Sequence, residues 1–206
     1  KIINIIMDRI TKSLLDEFVR QNGLEAISED QAFEHFTGYL VTSQHYTETF
    51  STEEIHIGSG GDTGIDSISI IVNGCLINAV EEIEDLVETN GYLDATFVFN
   101  QAERSSSFDT SKVGQFHFGV MDFFKEKPSL PQNAYVKAKS KIVNDIFDRS
   151  SKFKKGNPMC FLYYCTTGKW VGDQSLVARK ENVTSDLQLQ NIFRKVDFEF
   201  IDAEKI

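Results

Sequence analysis

Proline, cysteine and long apolar runs are scarce in this chain. Its 206 residues include three prolines and three cysteines, against 17 phenylalanines, a composition that argues against disorder. No apolar run approaches the roughly 18 to 20 residues that a membrane helix needs. Cys75, Cys160 and Cys165 are odd in number and lack the spacing of a zinc site or a disulfide framework, so we expect reduced core thiols. The sequence therefore predicts a soluble globular protein with no membrane partner.

The ends of the chain bear on its location and extent. In the opening KIINIIMDRI the apolar run is too short for a secretory signal, and charged residues follow it too early in the chain. We therefore expect a cytoplasmic protein. The chain begins at Lys1 rather than methionine and ends in the charged FIDAEKI, which makes a fragment of a longer chain a reasonable expectation. We predict one domain over residues 1–206, with an N-terminal helical segment at 1–27 and an α/β core at 28–206.

Positive charge is also in short supply. The net charge is -10, which disfavours sequence-independent nucleic-acid binding because that affinity comes mainly from lysine and arginine displacing counterions. A nucleic-acid partner would need metal ions or a local basic face. One basic cluster exists, although a solvated helix end and loop is the favoured interpretation of it. The cluster consists of Lys137, Lys139, Lys141, Arg149, Lys152, Lys154 and Lys155.

Apolar periodicity predicts a chain that alternates helices and strands. The predicted helices cover 8–21, 28–43, 79–88, 110–124, 133–148 and 187–194. The predicted strands cover 53–57, 65–72, 95–103, 158–168 and 195–201, and a further strand follows Asn73-Gly74 and leads to the next helix. Ser28 is the expected N-cap of the second helix, with Gln31 three residues on, and Asn73-Gly74 is the expected hairpin turn. The pattern indicates an α/β class with a mixed β-sheet flanked by helices.

A glycine-rich loop, GSGGDTGID, leads into the strand 65–72. It lacks the lysine and hydroxyl residue that a Walker loop needs after Gly64, and Thr63 stands where a Rossmann loop needs glycine. It is not an EF-hand, because no glutamate follows at the twelfth position. The loop instead delivers Asp66 to the start of a hydrophobic strand, where a carboxylate is costly unless it is hydrogen-bonded or binds a metal. A turn-capping aspartate is the alternative.

Gln101 and Glu103 lie two residues apart at the end of the strand 95–103. The period of two sends both side chains to one face of the sheet. With Asp66 on a neighbouring strand and a helical Glu34 nearby, they make an oxygen-rich set suited to Mg²⁺ or Mn²⁺. Such a metal activates water and screens a phosphodiester under attack. The pattern therefore predicts a metal site for phosphodiester chemistry.

These motifs resemble the Mrr-like branch of the PD-(D/E)xK, or restriction-endonuclease-like, superfamily, whose pattern is a helical glutamate, a GGDxGID turn into a strand, and then QxK. The segments GGDTGIDSISIIVNG, FVFNQAERSSSFD, FHFGVMDFF and LYYCTTGKW also resemble the N-terminal nuclease-like region of AIPR proteins, a family associated with abortive infection and phage resistance. The resemblance extends from about Glu34 to Trp170. It implies a restriction-endonuclease-like fold, with Asp66 as the principal metal ligand, Gln101 in place of the usual acidic residue, and Glu34 as a supporting acid.

Glu103 departs from the family pattern, which has lysine there to orient or polarise the attacking water. The substitution inverts the charge beside the phosphate. Three interpretations stay open: Glu103 itself activates water, a lysine reaches in from the next helix with Lys112 as the nearest candidate, or the site is inactive. Arg104 is less suitable, because it should point to the opposite face if the strand continues.

Three functions are compatible with these residues. The first is a Mg²⁺- or Mn²⁺-dependent endonuclease in antiviral defence, acting on DNA or RNA through Asp66, Gln101, Glu103 and Glu34. The second is a catalytically inactive nuclease-like domain that binds nucleic acid or a partner protein, and the third is an α/β interaction module. A second copy of the chain and a C-terminal domain of the same chain are further partners that the sequence leaves open. Nucleic-acid contacts are predicted for Lys112, Lys152, Lys154 and Lys155.

Two other conspicuous side chains favour ordinary structural roles. His117 lies among phenylalanines on a predicted helix, where a histidine is more often a surface or edge residue than a base. Trp170 is more often a packing anchor in such a place than a platform for stacking bases. Neither residue is assigned to the predicted site.

Overall fold

Five strands form one mixed sheet between two layers of helices in the computed structural model, which describes residues 7–58, 60–61 and 63–206. The strands are β1 (Ser67–Val72), β2 (Cys75–Leu76), β3 (Ala95–Glu103), β4 (Met159–Thr166) and β5 (Lys195–Ile201). The helices are α1 (Arg9–Asn22), α2 (Glu29–Thr42), α3 (Glu81–Asn90), α4 (Thr110–Phe123), α5 (Ala134–Asp148) and α6 (Gln174–Leu189). The predicted α/β class with a mixed sheet is confirmed. Residues 1–6 of the predicted N-terminal segment lie outside the described residues.

The sheet has the strand order β2-β1-β3-β4-β5. β1 pairs antiparallel with β2 and β3, whereas β3, β4 and β5 run parallel to one another. The hairpin between β1 and β2 turns at Asn73 and Gly74, whose φ angles of 53° and 82° suit a two-residue turn of the predicted kind. Parallel neighbours need long crossovers, which α4 and α5 supply between β3 and β4, and α6 supplies between β4 and β5.

Alternate side chains of β3 face the two helical layers. Phe97 and Phe99 belong to the larger core, together with apolar residues of α3, α4, α5 and α6. Val98 and Ala102 face the other layer and pack in two smaller clusters with residues of α1 and α2. Gln101 and Glu103 continue the series of Phe97 and Phe99, so they lie on the α4 side of the sheet.

Local side chains and glycine mark the ends of several helices. Asp8 caps α1 by accepting hydrogen bonds from the backbone N–H groups of Ile10 and Thr11. Ser28 and Gln31 form the predicted capping box at the start of α2. Gly91 ends α3 with a φ of 72°, a left-handed conformation that glycine adopts without steric cost. Local chemistry therefore determines where these helices begin and end.

Two predicted elements were wrong. The segment 53–57 is not a strand: Thr52–Glu54 is a 3-10 helix, and only a single bridge joins His56 to Ser67. The alternation of buried Ile55 and Ile57 imitates a strand.

The last helix lies upstream of its predicted position at 187–194, because α6 ends at Leu189 and Asn191 has a φ of 57°. Its core contacts, Leu176, Val183 and Leu187, are too widely spaced to produce a visible apolar stripe.

The close contact of α4 with the glycine-rich loop depends on Gly119. A Cβ atom at this position would lie 2.0 Å from the carbonyl oxygen of Thr63, a distance that no real contact allows. Thr63 precedes Asp66 by three residues and has a φ of 61°. The glycine thus lets the helix hold the loop that delivers Asp66 to the sheet.

We expect Gly119→Ala to lower the free energy of unfolding by about 1 to 3 kcal/mol, because the loop backbone must move away from α4. Gly114→Ala in the same helix is the matched control. Its Cβ would lie 3.6 Å from the flexible end of Arg179, so the gain in helix propensity should leave stability unchanged or raise it by about 0.5 to 1 kcal/mol. Urea unfolding measures the free energy of unfolding of both variants. Equal changes in Gly119→Ala and Gly114→Ala would contradict the role given to Gly119.

Candidate functional site

Strand pairing brings the predicted site residues together. Ser67 lies opposite Asn100 in the antiparallel pair of β1 and β3, which places Asp66 beside Gln101. On the other side of β3, Tyr164 of β4 lies opposite Gln101. Side chains of facing residues project to the same side of a sheet, so Asp66, Gln101 and Tyr164 share the α4 face with Glu103.

The carboxylate of Asp66 is buried at the junction of β1 and β3. Its Oδ2 accepts a hydrogen bond of 2.6 Å from the backbone N–H of Ala102, and its own N–H donates to the carbonyl of Asn100 at 2.9 Å. These contacts hold the side chain against the end of β3. The carboxylate of Asp66 thus accepts a backbone hydrogen bond, as a turn-capping aspartate does, but the N–H group that donates it belongs to the neighbouring strand β3.

The carboxylate of Glu103 is held from two directions. Its Oε2 accepts a 2.8 Å hydrogen bond from the hydroxyl of Tyr164, and its Oε1 accepts one from the ammonium group of Lys112. Burial, with a further contribution from the bond to Glu103, raises the pKa of Tyr164 well above its usual value, so the phenol remains a donor at neutral pH. Tyr164 was missed at the sequence level, because its strand is a near-continuous apolar run with no feature that marks one tyrosine.

Lys112 reaches Glu103 from the first turn of α4. Asp109 caps this helix through the N–H groups of Ser111 and Lys112, which sets the lysine at the third helical position. Its side chain is half exposed, so the amine faces both Glu103 and solvent. This placement matches the second interpretation of Glu103, in which a lysine arrives from the next helix. Arg104 points away from the site, as expected, and pairs with Glu29 and Asp30.

Gln101 carries a buried oxygen that has no hydrogen-bond partner among the residues that the structure describes. Its Nε2 donates to the carbonyl of Ala102 at 3.3 Å, which leaves Oε1 unsatisfied. An unpaired buried acceptor costs about 1 to 3 kcal/mol, so this oxygen is open to a water molecule or to a cation. Amide and carboxylate oxygens are ligands that Mg²⁺ and Mn²⁺ prefer, and this oxygen lies beside Asp66 on the same face as Glu103. The residues present therefore fit a hard divalent cation.

The acidic content of the site is limited. In the described ranges, no group of three histidine, cysteine, aspartate or glutamate side chains is arranged to hold a metal ion. The candidate set has two carboxylates, from Asp66 and Glu103, and its third oxygen comes from the amide of Gln101. A cation bound here would complete its coordination with water or with substrate oxygens.

Glu34 is engaged on the other side of the sheet. Its Oε2 lies 3.0 Å from Nε2 of His56, and that ring stacks on His35 with centroids 4.0 Å apart. Nδ1 of His35 is in turn hydrogen-bonded to the hydroxyl of Thr52 at 2.8 Å. The observed contacts of Glu34 are thus with the histidine pair, and its role as a supporting acid beside Asp66 stays a prediction. No spacing of residues in the sequence marks this histidine pair.

The loop that carries Lys152, Lys154 and Lys155 lies apart from the site. The N–H of Leu93, just before β3 begins, donates to the carbonyl of Lys152, and Lys155 pairs with Asp94 at 3.6 Å. At roughly 3.3 Å per residue, the nine residues of β3 separate this loop from Glu103 by about 26 Å. Of the predicted nucleic-acid contacts, the structure thus brings Lys112 to the site but not Lys152, Lys154 or Lys155.

Lys139, another member of the basic cluster, is buried. Its amine donates to the carbonyl of Glu54 at 2.7 Å and to Oδ1 of Asn78 at 2.8 Å. Burial lowers the pKa of Lys139 to about 8. This lysine ties α5 to the segment before the glycine-rich loop and does not contribute to a basic surface.

His117 and Trp170 occupy structural positions. Nε2 of His117 lies 3.3 Å from a carboxylate oxygen of Asp186, between α4 and α6, and burial lowers the pKa of the imidazole. The indole of Trp170 stacks on Phe200 with centroids 5.1 Å apart and meets Phe108 edge-on. About a third of Trp170 remains exposed.

Comparisons with known proteins add no relative: no family model, curated protein or solved structure matches this chain. Within the described residues, the helices are all too short or too polar to cross a bilayer.

We expect Gln101→Met to leave the free energy of unfolding of the metal-free protein unchanged or to raise it by about 1 kcal/mol, because the variant removes an unsatisfied buried oxygen. Guanidinium unfolding in the presence of a chelator measures this. A loss of more than about 2 kcal/mol would show that the amide has a structural partner and contradict its assignment as an open ligand.

The histidine pair on the α2 side predicts a pH dependence of stability. Burial lowers the pKa of His35 to about 4, so the unfolded chain binds a proton below about pH 6.5 that the folded chain does not yet bind. Stability should therefore fall as the pH falls from about 6.5 to 4, by at most about 3 kcal/mol from this group. His35→Gln should flatten the dependence measured by urea unfolding across that range, and an unchanged slope would contradict the assignment.

Proposed function

We propose that this chain is a metal-dependent nuclease that hydrolyses phosphodiester bonds of DNA or RNA in phage defence. The observation that carries the proposal is the cluster at the end of β3: Asp66, Glu103 and an unsatisfied oxygen of Gln101 on one face, with Lys112 beside them. The resemblance of the surrounding motifs to the PD-(D/E)xK superfamily and to AIPR proteins supports it. Cytoplasmic location and a nucleic-acid partner are part of the same proposal.

Asp66, Gln101 and Glu103 would hold Mg²⁺ or Mn²⁺. When bound, such a cation lowers the pKa of water and offsets the charge of a phosphate. Asp66 is oriented for this role by the N–H of Ala102, and Glu103 by the hydroxyl of Tyr164. Both carboxylates are thus held in place by groups of the sheet.

Lys112 supplies the positive charge that the family pattern carries on the strand. Its half-exposed amine is free to rotate between Glu103 and a phosphate oxygen, because the lysine stem is long and flexible. A cation at this point stabilises negative charge that develops on the phosphoryl group. In this proposal Lys112, in the first turn of α4, takes the role that the family assigns to a lysine on the strand.

A second candidate function, a nuclease-like domain that binds nucleic acid or a partner without cleaving, is favoured by the same ion pair. Glu103 and Lys112 neutralise each other, and a tight pair withholds the lysine from substrate and the carboxylate from a cation. Cleavage assays decide between the two candidates.

The test is cleavage of plasmid DNA, single-stranded DNA and RNA in Mg²⁺ and in Mn²⁺. Asp66→Asn should reduce cleavage at least about 100-fold and Lys112→Met at least about tenfold, in keeping with the loss of a ligand and of a charge-stabilising group. Lys127→Met, at an exposed position after the far end of α4, should cleave like the natural sequence. If the unsubstituted protein cleaves no substrate faster than Asp66→Asn does, the nuclease proposal is refuted. The second candidate, a domain that binds without cleaving, would then remain.

The exchange variant Glu103→Lys with Lys112→Glu tests the shared role of the pair. It keeps an ion pair between the same two positions and restores the family's QxK on the strand. We expect the exchange variant to cleave at least about tenfold faster than Glu103→Lys alone, because both variants lose the Glu103 ligand but only the single variant places two ammonium groups together. An exchange variant that is no faster than Glu103→Lys alone would contradict the claim that Lys112 and Glu103 share the role of the strand lysine.

A further inference from the structure

β5 is the last strand of the sheet in the described part of the chain, with β4 on one side and a groove on the other. Its carbonyl at Phe200 points into this groove, because the amine of Lys205 donates to it at 3.1 Å. Backbone groups of a strand alternate in direction, so those of Val196 and Phe198 point the same way. The strand therefore offers a row of hydrogen-bonding groups to an incoming segment.

The groove has a volume of about 930 Å³ and runs between β5, α6 and the residues after β4 and β5. On the α6 side it is partly apolar, since Trp170 is 37% exposed and Val177 is 42% exposed. Phe200 lies beneath the indole of Trp170. Exposed aromatic and branched side chains beside a strand edge that is unpaired among the described residues are the features of a peptide-binding groove.

The opposite face of the strand carries two carboxylates and one lysine, Lys195, whose amine lies over the ring of Phe161. Asp197 and Glu199 alternate with the buried phenylalanines of β5 and project to the α2 side, where their partners in β4 are Phe161 and Tyr163. Neither carboxylate, nor that of Glu181 on the α6 wall, forms an ion pair within the described residues. Two lysines line the groove, and one of them, Lys205, is occupied by the carbonyl of Phe200.

We infer that this groove binds an extended, basic segment of a partner protein, which adds to the sheet as a strand beside β5. Side chains of an added strand alternate between the faces. Lysine or arginine at every second position meets Asp197 and Glu199, and the apolar residues between them meet Trp170 and Val177. The inference does not rest on the nuclease proposal, because the residues that carry it are separate from Asp66 and Gln101.

The same features argue against two other occupants. An antiparallel pair of β5 strands from two copies, centred on Phe198, would place Asp197 directly opposite Glu199, and like charges in that position are destabilising. A nucleic-acid strand would meet uncompensated carboxylates along the groove. Charge complementarity therefore selects a basic protein segment.

The test uses synthetic seven-residue peptides and calorimetry on the whole chain. A peptide that alternates valine and lysine should bind at low ionic strength, and its counterpart with glutamate for lysine should not. Two further peptides carry N-methyl groups on all valine or on all lysine nitrogens. One of them should lose binding at least tenfold and the other should not, because only alternate N–H groups face the strand edge.

Matched charge variants complete the test. Asp197→Asn with Glu199→Gln should weaken the lysine peptide about fivefold, in line with the loss of two partly exposed ion pairs. Asp85→Asn with Glu88→Gln, two exposed positions on α3, changes the net charge equally and should alter the affinity less than twofold. Four results would each overturn the inference. Two are equal weakening by both pairs of substitutions and equal loss of binding with both methylated peptides. The others are absence of binding at millimolar peptide and a stable dimer, seen by light scattering, that excludes the peptide.

Discussion

The pairing of β3 with β1 on one side and with β4 on the other is the constraint on which the rest of the structure depends. The register that sets Ser67 against Asn100 also sets Asp66 beside Gln101, and the parallel register adds Tyr164. A slip of one residue would send each of these side chains to the opposite layer and bury Gln101 and Glu103 against α2. The large core of phenylalanines beneath α4, α5 and α6 excludes that slip, because Phe97 and Phe99 belong to the same alternating series.

Much of this arrangement can be predicted from the sequence, because period-two patterns and helix caps are local. The bounds of β3, the capping box at Ser28 and the common face of Gln101 and Glu103 all depend on residues close together in the chain. The contacts that were missed join distant segments. Neither the bond from Tyr164 to Glu103 nor the pairing of Glu34 with His56 has a signal in the spacing of residues, since both depend on how strands and helices pack.

The distribution of charge separates two regions of the molecule. At the end of β3, acidic side chains are matched by a lysine, by a phenol and by backbone N–H groups, which together make a polar cluster inside a hydrophobic sheet. Along β5, acidic side chains have no such partners among the described residues. Carboxylates of one acidic chain therefore lie in two different settings, because in one place they are paired and in the other they are not.

The long crossover between β3 and β4 affects how the protein reaches its folded state. β1, β2 and β3 are close in sequence, whereas Tyr164 joins Glu103 only after the chain from Glu103 to Met159 has passed through α4 and α5. Pairings of high contact order form slowly, because the entropy of closing the loop must be overcome first. The polar cluster is therefore complete only when β4 has joined β3, and a nascent chain that has not yet emerged beyond β4 holds Asp66 and Gln101 without the strand that completes their surroundings.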